Sequence, residues 1–180
     1  MKKLLIGALV GSVILFIWQF LSWAALDLHG SQMEHTDKQD QIMAALNEAG
    51  LEDGSYFLPR MPRTASADEA QAAMEEAVGK PWALVKYRNE MKAQSATNFI
   101  RGWAISFVSV LLLGWILGQF REVTLSNAAI SAVSIGVIGY LTVPYLNSVW
   151  FEGNTMPDLI DAIVPWAITG AWMGWWMPRE

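Results

Sequence analysis

Apolar positions in this chain are gathered into four long runs, residues 4–26, 99–120, 128–146 and 159–177, and one long polar segment, 27–98, separates the first run from the second. A helix rises about 1.5 Å per residue, so roughly 20 residues cross the hydrocarbon core of a bilayer. Each run is about that long, and short polar turns alone divide the last three. The pattern predicts an α-helical membrane protein, a four-transmembrane-helix bundle with a small α/β extracytoplasmic insert between helices 1 and 2. Its parts are a first transmembrane helix at 1–26, the insert at 27–98 and a three-helix transmembrane region at 99–177.

Inside the polar segment the periodicity changes. Ile42, Leu46 and Ala49 recur at helical spacing over residues 41–49, and Gly50 closes that stretch. Ser55, Tyr56, Phe57 and Leu58 read as a strand stopped by Pro59. Ser66 and Glu69 have capping-box spacing, in which hydroxyl and carboxylate each satisfy an amide of the first turn. Ala67, Ala70, Met74, Ala77 and Val78 then share one face before Gly79, and residues 82–87 form a second strand. A strand–helix–strand order predicts that the two strands lie parallel. Some 60 residues with two short strands bury little apolar area, so this unit is expected to lean on the outer face of the bundle.

Composition sharpens the membrane reading. Hydrophobic residues make up 53% and charged residues 16%, against about 25% charged in soluble domains. Of the 29 Asp, Glu, Lys and Arg residues, 19 fall in segment 27–98, 12 acidic and 7 basic. That balance, with a net charge of −5, argues against a nucleic-acid partner, because phosphate binding needs a basic face. The chain has no cysteine, which removes disulfides, thiolate metal sites and a cysteine nucleophile.

The first run follows Lys2 and Lys3 as a signal peptide would, and Ser22-Trp23-Ala24 has a small-x-small form. Its 23 apolar residues exceed the 7–15 of a secretory core, so it is expected to stay as an uncleaved anchor. Lys2 and Lys3, Arg121 and Arg179 place the N-terminus, the second turn and the C-terminus in the cytoplasm of a bacterial inner membrane, with 27–98 outside. Residues 147–158 carry no Lys or Arg. Trp23, Trp103 and Trp150 are expected at the outer interface and Trp115, Trp175 and Trp176 at the inner one. Gly7/Gly11, Gly114/Gly118, Ala132/Gly136 and Gly170/Gly174 give every run a pair of small residues one turn apart, the signature of close helix packing within one chain or between copies. Pro144 and Pro165 interrupt the third and fourth runs, freeing the carbonyls of Tyr140 and Asp161.

Three charges at run ends form a candidate intramembrane polar site: Arg101, Asp158 and Asp161. Ionisable groups at such positions face protein or water. They read either as a proton or ion relay, with Arg101 holding an anionic headgroup, or as structural: the two carboxylates meet the positive end of a helix dipole behind Pro157, and Arg101 reaches to the interface. His29 and His35, six residues apart, read as solvated loop histidines. No nucleophile triad, phosphate loop or zinc motif occurs, so no catalytic, metal or cofactor site is expected.

Gly54-Ser55-Tyr56-Phe57-Leu58-Pro59, the strand holding Tyr87, and Pro144-Tyr145-Leu146-Asn147 with Trp150-Phe151 give the chain its resemblance to a group of uncharacterised small bacterial integral membrane proteins. That group is built from one N-terminal span, an α/β outer insert and three further spans; the resemblance implies a fold plan and no activity. The expected function is that of a non-enzymatic accessory or assembly subunit contacting another envelope component through its insert. Its partners would be the lipid bilayer and a membrane or periplasmic protein or a second copy. The alternative is a small transporter or channel using Arg101, Asp158 and Asp161.

Overall fold

The computed structural model describes residues 2–177. In chain order its elements are α1 (Lys2–Phe20), α2 (Gln39–Glu48), β1 (Gly54–Leu58), α3 (Ala67–Ala77), β2 (Ala83–Tyr87), α4 (Ala96–Leu117), α5 (Leu125–Tyr140), α6 (Leu146–Trp150) and α7 (Met156–Trp176). The chain divides into two compact units: residues through Glu34 together with those from Gln94 onward, and His35–Ala93.

Three helices of the first unit are long and apolar enough to cross a membrane: Lys2–Ala25, Ala96–Leu117 and Leu125–Trp150. The first is α1 extended by a wide π-helical turn, Leu21–Ala25. The third joins α5 to α6 through a second such turn, Leu141–Tyr145, which contains Pro144. Proline cannot donate to the ladder, and widening the turn absorbs the misfit without ending the helix. The fourth apolar run forms α7, 21 residues long, but two aspartates, two prolines and four tryptophans make it less apolar than the other three. Its place in the bundle accounts for that composition. α7 lies between α1 and α5, and α1 in turn packs on α4. A helix with protein on two sides exposes less of itself to its surroundings.

Small residues set the distances in this bundle. A β-carbon at Gly7 would lie 2.8 Å from the Trp176 ring, and one at Gly11 would lie 2.7 Å from Val110. At Gly136 it would run into the Ala162 carbonyl oxygen, and at Gly170 it would lie 2.7 Å from Ala132 Cβ. The small pairs noted in the sequence thus pack α1 and α5 against α7 within one chain, while Gly139 faces open space. On α1, Gly7, Ala8, Gly11 and Ser12 are buried while Leu5, Leu9, Val13 and Ile17 are exposed. Bulky apolar side chains outside and small ones inside are what lipid selects, since lipid supplies no hydrophobic drive between helices. The indole N–H groups of Trp172 and Trp176 donate to the Gly7 and Lys3 carbonyls at 3.0 and 2.7 Å, fixing α1 antiparallel to α7.

The second unit is built from local signals. Ser66 accepts from the Glu69 amide and Glu69 reaches back to the Ser66 amide, closing the capping box at the start of α3. The Ser66 backbone amide, acting most strongly, and the Ser66 hydroxyl both donate to the Glu69 carboxylate and hold it below its ordinary value. Gly50 and Gly79, beyond the ends of α2 and α3, take positive φ angles of 64° and 79°, which cost glycine little. The expected parallel pairing is not what forms. β1 and β2 are antiparallel, with Gly54 opposite Tyr87 and Leu58 opposite Ala83. The reason lies in the connection: eight residues of proline-containing coil, 59–66, precede α3 and are long enough to undo the helix's displacement. The chain therefore returns to the end of the ladder it left, and no crossover is made.

Candidate functional site

Where α1 ends, the backbone makes an unusual exit. The Leu26 and Leu28 amides bond to the Leu21 and Ser22 carbonyls, Asp27 takes a φ of 47°, and a single 3₁₀ turn follows at Gly30–Gln32. Residues three apart eclipse each other in such a turn. His29 and Gln32 are so paired, and both address the first turns of α7.

Asp161 is the centre of what they meet. Its Oδ1 accepts the Trp18 indole N–H at 2.8 Å and the Ser22 hydroxyl at 2.7 Å, and its Oδ2 lies 3.0 Å from His29 Nε2. The other ring nitrogen, Nδ1, lies 2.8 Å from Gln32 Oε1. Gln32 Nε2 donates both to the Asn154 carbonyl at 2.8 Å and to Asp158 Oδ2 at 2.7 Å. Asn154 closes the circuit by donating to Ser31 Oγ at 3.0 Å. The His29 ring is 4% exposed and stacks on Trp23 with centroids 4.0 Å apart and planes 5° from parallel. Burial works against the charged ring, but the Gln32 and Asp161 hydrogen bonds and the fields of Asp161 and Asp158 outweigh it, so His29 holds its proton above the ordinary histidine value.

Asp158 and Asp161 thus share one α7 face and one network, and Pro157 takes its place in the first helical turn. Arg101 does not join them. It is exposed on α4 and, among the described residues, makes no ion pair with either carboxylate. The expectation of two solvated histidines holds for His35, whose side chain is 71% exposed beside Asp37. It fails for His29, which is buried and paired with a residue 132 positions away. Local spacing carries no trace of such a partner. One signal was available: Asp161 inside an apolar run requires a donor, and a histidine just past the first run is one of few candidates.

Beside the network a groove of about 520 Å³ runs between α4, α5 and α7, with Ser109, Tyr140, Asp158 and Asp161 among its polar lining and Leu112, Ile135 and Trp166 among its apolar lining. Among the described residues, no three His, Cys, Asp or Glu side chains converge as metal ligands. The arrangement can hold a proton and fix the exit of α1 to the start of α7. No protein-family model, curated protein or solved structure matches this chain.

Proposed function

We propose that the chain is a four-span, non-enzymatic protein of the bacterial inner membrane, with N- and C-termini inside and residues 27–98 outside. In this reading it is an accessory or assembly subunit that contacts another envelope component through the 35–93 unit. α7 would be the fourth span, its aspartates and tryptophans tolerated because α1 and α5 flank it. The observation that carries the reading is the surface of the 35–93 unit. Tyr87 is its one buried residue among those described, while Val78, Leu84 and Met74 are 80%, 57% and 55% exposed. A unit that covers so little of its own apolar surface suits contact with another protein.

Photo-crosslinking in cells tests this directly. A benzophenone side chain at Val78 or Leu84 should capture one defined protein band, whereas the same group at Ile105 or Ile130 on the helices should capture lipid. Crosslinks from Val78 and Leu84 confined to lipid would overturn it.

The groove favours one second reading, a small transporter or channel in which Asp158 and Asp161 relay protons or ions. Arg101 has no place among the lining residues. Purified protein that carries protons across liposomes, and loses that activity on Asp161→Asn, would support this reading over the first.

A further inference from the structure

We propose that segment 27–34 is clasped to α7 by a proton: His29 acts as an imidazolium that grips Asp161 and Gln32 at once and releases them when it is deprotonated. This goes beyond the accessory role and does not depend on it.

The neighbours of Gln32 settle the orientation of its side-chain amide. Its Nε2 faces two acceptors, the Asn154 carbonyl and Asp158 Oδ2, at 2.8 and 2.7 Å. Oε1 is therefore the atom turned to His29 Nδ1, and it can only accept. Asp161 is equally constrained. Its Oδ1 already takes donors from Trp18 and Ser22, and Oδ2 is the atom facing His29 Nε2. Both ring nitrogens thus face acceptors, and only the doubly protonated ring has two N–H groups to give.

A neutral ring keeps one proton and must turn a lone pair on an oxygen. With the proton on Nε2, Nδ1 opposes Gln32 Oε1; with it on Nδ1, Nε2 opposes the Asp161 carboxylate. Turning the Gln32 amide over would cure the first conflict and break both of its own donor contacts. The stacked Trp23 ring adds to the preference, because an aromatic face attracts a cation lying over it. The charged groups acting on the ring are Asp161 and Asp158, both on α7. The end of α1 presents Trp18, Ser22 and Trp23, which carry no charge, and the carboxylate of Asp27 in the turn after it lies against Gly30.

The sign of the pH dependence follows. The fold raises the affinity of His29 for its proton, so the clasp is complete below the ordinary histidine value of 6.5. It is lost as pH climbs through the higher value that the site imposes. Rising pH, not acid, loosens segment 27–34 from α7.

Two measurements in lipid nanodiscs test this. In a His35→Gln background one histidine remains, so its ring ¹⁵N signals are unambiguous. They should show both nitrogens protonated at a pH where a histidine in water is neutral. The chain has no cysteine, so a spin label on Met33→Cys, at a position 71% exposed, reports the segment alone. Its mobility should rise with the same midpoint as His29 deprotonation, and His29→Gln should abolish that step. A His29 ring already present as one neutral tautomer, or a label whose mobility is unchanged while His29 titrates, would overturn the clasp.

Discussion

The helical unit and the 35–93 unit use the same residue types in opposite ways. Along α1 the buried positions are Gly7, Ala8, Gly11 and Ser12 with Leu15 as the one large side chain among them, and Leu5, Leu9, Val13 and Ile17 face outward. Ser106, Thr169, Ser12 and Ser22 lie in the interior of the bundle. In the 35–93 unit the two helices have no buried residue at all, and organisation comes from caps, glycine turns and one ladder. The two parts are held by different forces. The bundle depends on contact distance, because its surroundings give it no hydrophobic drive, whereas the other unit depends on local hydrogen bonds and has little packing to lose.

Adding one methyl group to the bundle should have the largest effect. Gly136→Ala should destabilise the bundle by about 3 kcal/mol, because the new β-carbon collides with the Ala162 carbonyl and the Trp166 ring. Gly139→Ala, one turn along and facing open space, should stay within about 0.5 kcal/mol. Unfolding in mixed detergent micelles measures both, and equal effects would remove the contact-distance argument.

Next in size is Asp161→Ala. It strips the acceptor from Trp18, Ser22 and His29 together, and about 2 kcal/mol should be lost, a figure held down because the Asp161 side chain is 24% exposed. The same unfolding assay reads it, and hydrogen exchange should rise over 26–34 and not over 35–93.

In the other unit a single hydrogen bond should matter at comparable scale to its whole packing. Tyr87 donates to Asn47 Oδ1 at 2.6 Å, tying β2 to α2. Tyr87→Phe should cost about 1 kcal/mol, seen as faster amide exchange in α2 and β2 with the helical unit unchanged. The smallest effect is expected from Ser66→Ala. Removing the cap hydroxyl should cost about 0.5 kcal/mol and fray the first turn of α3, visible in the exchange rates of the Asp68 and Glu69 amides.

Much of the local structure was legible because its causes are local. The Ser66–Glu69 box, the glycine ends at 50 and 79, both strands and four apolar runs each follow from residues within a few positions of one another. α5 begins three residues before the apolar run at 128–146 does, because Thr124 and Asn127 make a capping box with an amide in the role usually held by a carboxylate. What stayed hidden depends on distant partners. The antiparallel register follows from how a coil and a helix of unlike direction add up, which no single position encodes. Asp161 stands out by its cost in an apolar run and Asp158 by lying three residues before it on the same helix face, whereas Arg101 shares only their depth and stands apart. His29 was missed, since its burial comes from Trp23 and from an α7 residue far along the chain.

In the proposed topology the chain crosses the membrane four times, with the less apolar α7 as the last crossing. Because the chain has no cysteine, single-cysteine labelling in intact cells with a membrane-impermeant maleimide tests it most directly. Glu152→Cys should label from outside, while Glu122→Cys and Arg179→Cys should label only after the membrane is opened. Labelling of Arg179→Cys in intact cells would show that α7 does not cross and would overturn the four-span topology.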